Sequence, residues 1–188
     1  MLSIKCHDLK HKLVALEGRL PQGEIDSMRS IVDTYDGIYH TGSEVLDIIL
    51  NEKNLRCRGK GISITCMGSG KYLEFLDPMD VYSLFGNLLE NAITAAEQLE
   101  EPQQRIISLM MQRKGNLVYI DVMNFFRGPL RLSEDGLPRT TKQEEEGYHG
   151  YGLRSVRAIA RKYKGDLSVH SKDDIFTAQV YLLQEDPA

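Results

Sequence analysis

The apolar residues of this chain change their period once, near residue 41, and that change divides the chain into two parts. Before it, Leu2, Cys6, Leu9, Leu13, Leu16 and Leu20 recur at alternating steps of four and three. This is the narrow seam of a coiled coil rather than the wider stripe of a globular helix. After the turn Pro21-Gln22-Gly23 the seam resumes at Ile25, Met28, Val32, Tyr35 and Tyr39. Two short helices joined by a tight turn read as a helical hairpin. So small a hairpin buries little surface alone, so residues 1–40 are expected to pair with a second copy as a four-helix dimer.

Residues 41–188 carry the pattern of an α+β domain. Ser43 is placed to cap a helix running to about Lys53. Strand patterns follow at Ile62–Met67 and Tyr72–Leu76, then a long helix from Asp80 to Leu99. Ile106–Gln112 and Leu117–Met123 flank the turn Lys114-Gly115-Asn116 as a hairpin. A helix over Gly152–Lys164 and strands at Leu167–His170 and Phe176–Leu183 complete the domain. Between Phe125 and His149 no period survives, and Gly128, Pro129, Gly136, Pro138 and Gly147 accompany the charge run Lys142 to Glu146. A loop of that length inside a compact domain is expected to be functional, here a lid or binding loop over 125–149.

Charge and cysteine content exclude several classes. The chain holds 23 Lys+Arg against 27 Asp+Glu, a net charge of -4, so no basic excess is available to neutralise a nucleic-acid backbone. No stretch approaches the roughly 18 apolar residues of a membrane span, and the N-terminus has no signal-peptide core, so a cytoplasmic location is expected. Cys6, Cys57 and Cys66 form no CxxC pair and read as free thiols.

Two motifs carry chemistry. Asn87 and Asn91 lie one helical turn apart, beside a core stripe of Leu84, Leu88, Ala92 and Ala95. Asparagine is a poor helix former, and two amide oxygens on one face suit a hard cation such as Mg2+ that keeps waters and phosphate oxygens. Gly150-Tyr151-Gly152-Leu153 follows the long loop and opens a helix. Glycines let backbone approach an anion, and the helix start offers free N–H groups to it. Each motif alone is equally compatible with ordinary surface and turn roles.

In this order, the paired asparagines, hairpin, long polar loop and glycine-rich helix start resemble the GHKL ATPases, in their histidine-kinase branch. Asn87-Leu88-Leu89-Glu90-Asn91-Ala92 resembles the N-box, and His149-Gly150-Tyr151-Gly152-Leu153 a glycine box. Within the branch the chain is most similar to the peptide-pheromone quorum-sensing receptor kinases. Their phosphoacceptor box is matched by His7-Asp8-Leu9-Lys10-His11-Lys12-Leu13, and further matches are Thr41-Gly42, Leu46-Asp47-Ile48-Ile49-Leu50 and Thr140-Thr141-Lys142.

The resemblance implies a Bergerat-type ATP-binding α/β sandwich preceded by a short dimerising hairpin. ATP is then expected between the N-box helix and the lid, with Asn91 on Mg2+ and Asn87 supporting it. Lys142, His149, Gly150, Tyr151, Gly152, Leu153 and Thr177 are the further expected nucleotide contacts. The implied reaction moves the ATP γ-phosphate to His7, assisted by Asp8, and then to an aspartate of a response-regulator receiver domain.

Two departures bear on this. ATP-hydrolysing relatives carry a Glu where Asn87 stands, and an amide cannot take a proton from water as a carboxylate does, which favours transfer over hydrolysis. The Asp that binds the adenine amino group in the family is matched by Asn124, an uncharged acceptor. A module that binds nucleotide and dimerises without transferring phosphate is the alternative. His7 and His11 also share the spacing of a zinc-protease helix, but Asp8 is short, Lys10 and Lys12 flank it, and no third ligand is evident. Because His7 lies only about two helical turns from Met1, the chain is expected to be the cytoplasmic part of a receptor whose membrane-bound sensor region lies upstream. Arg154, Arg157 and Arg161 read as a solvated helix face, with Arg154 near a phosphate.

Overall fold

Ser43 opens the first helix, α1 (Glu44–Arg58): it is extended, and its side chain accepts a hydrogen bond from the Leu46 N–H, as its place ahead of an apolar run predicts. The helix continues five residues past Lys53. Cys57 buries itself in that extra turn, while Arg56 and Arg58 face the negative end of the helix dipole. The computed structural model describes residues 39–130, 132–138 and 152–185. From Thr41 onward these belong to one unit; the hairpin expected over 1–40 lies outside the described residues save Tyr39 and His40.

Strand β1 (Ser63–Met67) follows, then α2 (Pro78–Glu97), β2 (Ile106–Lys114), β3 (Leu117–Phe125), α3 (Gly152–Lys162), β4 (Asp166–Lys172) and β5 (Ile175–Leu183). The five strands form one sheet in the order β1-β2-β3-β5-β4. β1 pairs parallel with β2, Ser63 opposite Ile106, and all other pairs are antiparallel. A parallel pair needs a long crossover, and here α2 supplies it, which lays this helix across β2 and β3. In the same way α3 joins β3 to β4 and rests on β4 and β5.

One face of the sheet takes the core. Ile107, Leu109 and Met111, then Val118, Ile120 and Val122, then Phe176, Ala178, Val180 and Leu182 are all buried at alternate positions, the period-two pattern of a strand packed on one side. Against them α2 buries Val81, Leu84, Phe85, Leu88, Leu89, Ala92, Ile93 and Ala96. Each large side chain among these stabilises the fold by about 1.5–3 kcal/mol. Ala96, rather than the expected Ala95, completes the stripe. The result is the two-layer α+β arrangement expected from the sequence.

Two expectations are corrected. Tyr72–Leu76 is not a strand. Gly70–Leu73 is a 3-10 turn capped by Ser69, and Leu73 and Leu76 are buried three apart. The apolar pairs 72–73 and 75–76 suit a helical turn as well as a strand, and a tight contact decides between them: the Gly70 N–H donates to the Thr41 carbonyl at 2.8 Å, and a Cβ at Gly70 would lie 2.5 Å from Thr41 Oγ1. The loop expected over 125–149 is also partly built. Phe125 still belongs to β3, and Leu132 pairs with Pro138 across a tight turn whose Leu137 is buried. Among the described residues no helix is long and apolar enough to cross a membrane.

Candidate functional site

The wide buried face of α2 leaves Asn87 and Asn91 on one flank. Asn87 is half-buried, and its Nδ2 donates to the Ser83 carbonyl at 2.7 Å. That bond orients the amide and leaves Oδ1 as the presented acceptor. Gly152, the first residue of α3, lies directly against it. A Cβ at Gly152 would meet Asn87 Oδ1 at 3.4 Å, in ordinary contact, so the start of α3 packs close to the asparagine. The structure therefore brings the paired-asparagine helix and the end of the glycine motif together. Asn91, one turn further on, is exposed on α2.

Asn124 ends the buried row of β3 and is 3% exposed. Its Nδ2 donates to the Phe125 carbonyl at 2.8 Å, which fixes the amide, and its Oδ1 is buried without a hydrogen-bond partner among the described residues. A buried acceptor left unpaired costs about 1–3 kcal/mol, a cost that a bound donor would remove. Phe176 stands opposite Asn124 in the β3–β5 register and meets Phe126 edge-on at 6.3 Å. The unpaired oxygen thus lies on the buried face of the sheet, in register with Phe176.

Thr177 is not brought to this place. It pairs with Met123 and His170, on the opposite face of the sheet from Asn124. The sequence held the signal: Thr177 falls out of phase with the buried alternation Phe176, Ala178, Val180 and Leu182. Leu153 is half-buried on α3, whereas His7, Asp8, Lys142, His149, Gly150 and Tyr151 lie outside the described residues.

The three arginines of α3 separate by role. Arg161 is exposed, as expected. Arg154 reaches Asp135 at 3.4 Å rather than an open anion site. Arg157 is largely covered rather than solvated: its side chain is 15% exposed, Nη1 donates to the Asp135 carbonyl at 2.6 Å and Nη2 to the Leu167 carbonyl at 3.0 Å. A long amphipathic side chain on a polar helix face can lie down over its neighbours, and helical periodicity does not distinguish this from solvation.

A shallow cleft of about 290 Å3 lies between α1 and α2, lined among others by Ile49, Lys53, Tyr82, Gly86, Asn87 and Glu90. Its charged members already satisfy one another, Glu90 accepting from Lys53 at 3.3 Å and from Arg56 at 2.9 Å. Asn87 borders this cleft as well as the start of α3. Of the two described thiols, burial, reinforced by Asp47, pushes Cys66 up to about 12, and burial also raises Cys57, which disfavours the reactive thiolate. Among the described residues no three of His, Cys, Asp and Glu gather as a metal cage.

An open five-stranded mixed sheet with helices packed on it, the paired-asparagine helix meeting the glycine start of the next, is the α/β sandwich architecture expected from the sequence. The GHKL domain profile matches residues 76–183, over half of the 188 residues, and the chain belongs to this family. GHKL domains bind ATP, typically with Mg2+. No curated protein matches the chain. The catalytic domain of histidine kinase ThkA, in a nucleotide-free form, is 16% identical with a TM-score of 0.60, covering 75% of this chain and 92% of that one; a second nucleotide-free form gives a TM-score of 0.55. Histidine kinase AdeS of Acinetobacter baumannii is 12% identical with a TM-score of 0.54, covering 96% and 98%. These likenesses establish the fold as that of histidine-kinase catalytic domains.

Proposed function

We propose that this chain is the catalytic core of a sensor histidine kinase of the quorum-sensing type, which transfers the γ-phosphate of ATP to His7 and then to an aspartate of a receiver domain. The observation that carries the reading is the approach of Gly152 to Asn87 Oδ1, since it closes the paired-asparagine helix onto the start of the glycine-motif helix. The orphan Oδ1 of Asn124 supports the adenine end. It would accept from the exocyclic amino group, with Phe176 and Phe126 beside it. Thr177, on the far face, has no part in this.

The exposed amide of Asn91 fits a Mg2+ ion that draws most of its ligands from water and phosphate, as this ion commonly does. When bound, the ion neutralises phosphate charge. Asn87 steadies that end and, being an amide, does not activate water, so the phosphoryl group is kept for a side-chain acceptor. A neutral imidazole has the lone pair for this attack near pH 7. Asp8 would orient the His7 ring or take its proton. Homodimerisation through residues 1–40, the receiver-domain partner and an upstream membrane-bound sensor are parts of the same proposal.

Radiolabelled ATP should leave acid-labile label on the wild type and none on His7→Gln; equal labelling of both would overturn the assignment. The alternative is a nucleotide-binding and dimerisation module that signals without transferring phosphate. Tight Mg-ATP binding in calorimetry with no label on any histidine would select it.

A further inference from the structure

We propose that Arg157 is a positioning residue for nucleotide binding, acting through the small turn Leu132–Pro138; this rests on the nucleotide-site reading above. In the nucleotide-site reading, Asn124 and Gly152 form two walls of the site, and the chain between them leaves β3 at Phe125 and re-enters regular structure at α3. Its first stretch beyond β3 is anchored: the Phe126 N–H donates to the Asp174 carbonyl at 3.0 Å, and the Ser133 N–H to the Leu137 carbonyl at 2.8 Å. Ser133 Oγ donates to the Asp135 carboxylate, whose Oδ1 in turn accepts from the Leu137 N–H at 3.2 Å. Leu137 is driven inward to 3% exposure.

Arg157 fastens this turn to the rest of the domain. One guanidinium nitrogen holds the Asp135 carbonyl of the turn, another holds the Leu167 carbonyl of β4, and Nε lies 3.3 Å from the Asp166 carboxylate. The planar fork serves several acceptors in fixed directions, which a lysine ammonium on a flexible stem does not reproduce. Arg157 stands five residues after Gly152 on the same helix, so the bond to Asp135 sets the turn against α3. It thereby fixes the distance between the strand-end wall carrying Asn124 and the helix wall carrying Gly152. Arg154 adds a looser, exposed contact to the same aspartate.

The test compares ATP affinity by calorimetry in Arg157→Gln, Arg157→Lys, Ser133→Ala and the double variant Arg157→Gln/Ser133→Ala, at a temperature where each is fully folded by circular dichroism. Arg161→Gln is the control, one turn on, touching Asp166 at 3.5 Å but not the turn. Both Arg157 variants should weaken binding about tenfold, a change of ~1.4 kcal/mol, and Lys should not rescue. Ser133→Ala should weaken it less, and its effect should vanish in the double variant because both act through one turn. Amide exchange at 133–137 should rise in both. Arg161→Gln should bind as the wild type. Unchanged affinity in folded Arg157→Gln, rescue by Lys, or additive effects would each overturn the positioning role while leaving the nucleotide site standing. A wild type that binds no ATP overturns both.

Discussion

The two flanks of α2 are built on opposite terms. Toward α1 the helix is held by a ladder of opposite charges: Lys53 and Arg56 meet Glu90, and Arg56 and Lys60 meet Glu97. Every carboxylate there has its cation. Toward α3 the side-chain polar bonds gather at one end, where Asp80 accepts from Lys162 and Tyr163, each at 2.6 Å, and Tyr163 packs edge-on against Phe75 at 5.8 Å. At the other end stand Asn87, the exposed Asn91 and the bare backbone of Gly152. A helix flank that serves stability pairs its polar groups, and under the proposed function the α3 flank, which leaves amide acceptors free of such pairs, is the one that meets nucleotide. The same helix therefore offers an internal control, since substitutions on the α3 flank should change binding with little change in stability and those on the α1 flank should do the reverse.

The sharpest way to break this comparison is Asn91→Ala. An exposed helix position favours alanine slightly, so folding stability should hold within about 0.5 kcal/mol. Phosphoryl transfer should fall by at least about 100-fold, ~2.7 kcal/mol in activation free energy. Loss of the folding transition in the same variant would place Asn91 on the structural side of the helix. Next in size is Gly152. Alanine should be tolerated, because 3.4 Å is ordinary contact with Asn87 Oδ1. Valine should displace the helix start and weaken nucleotide binding about tenfold or more, since small misplacements at a reacting site are costly. Equal affinity in the valine and alanine variants would remove the steric argument.

Asn124→Leu tests the orphan acceptor. The variant removes a buried oxygen that has no partner together with the Nδ2 bond to Phe125, and these oppose each other in the folded state. Stability should therefore shift by no more than about 1 kcal/mol, while ATP affinity drops roughly three- to tenfold, the size of one net hydrogen bond. Titration with ATP and GTP side by side sharpens the result. The wild type should prefer the purine with an exocyclic amino group at the position facing Asn124, and the leucine variant should lose that preference.

How much of this was legible in the sequence depends on which force fixed each part. α2, the β2–β3 hairpin and β5 were readable because one buried face imposes a period on each. Ser43 marked its helix start as a cap does, whereas α2 begins at Pro78, capped by Asp77, two residues before the expected Asp80. Tyr72–Leu76 misled because five residues with two apolar pairs satisfy a turn and a strand alike, and the deciding contact, Gly70 on Thr41, is remote in sequence. Thr177 was assigned to the site by analogy along the chain. The face it occupies is set by register, and a one-residue offset in a strand reverses the side chain. Arg157 was read as solvated because periodicity reports which way a side chain leaves the helix, not where its guanidinium ends. Asn124 was read as an acceptor from its side-chain type, but that its oxygen is buried and unpaired among the described residues could come only from the packing around it.

The smallest expected effect lies on the α1 flank and completes the comparison. Burial alone would raise Glu90, but the hydrogen bond and charge of Arg56, with Lys53, outweigh it and hold the carboxyl below its ordinary range. Glu97 is held down chiefly by its hydrogen bond from Lys60, with Arg56 adding to it. A carboxyl whose folded pKa is depressed contributes stability above its unfolded value, near 4.3, and loses that contribution as the pH falls through the folded value. Because Glu90 is 43% exposed and Glu97 30%, solvent screening limits each pair to less than about 1 kcal/mol. Urea unfolding of the wild type from pH 7 to pH 3 should therefore show a gentle decline that Glu90→Gln flattens, and added salt should reduce the difference between the two at pH 7. ATP affinity at pH 7 should be the same in both proteins. A Glu90→Gln variant with native stability but weakened nucleotide binding would show that the ladder reaches across α2 into the site, and that the two flanks are not independent.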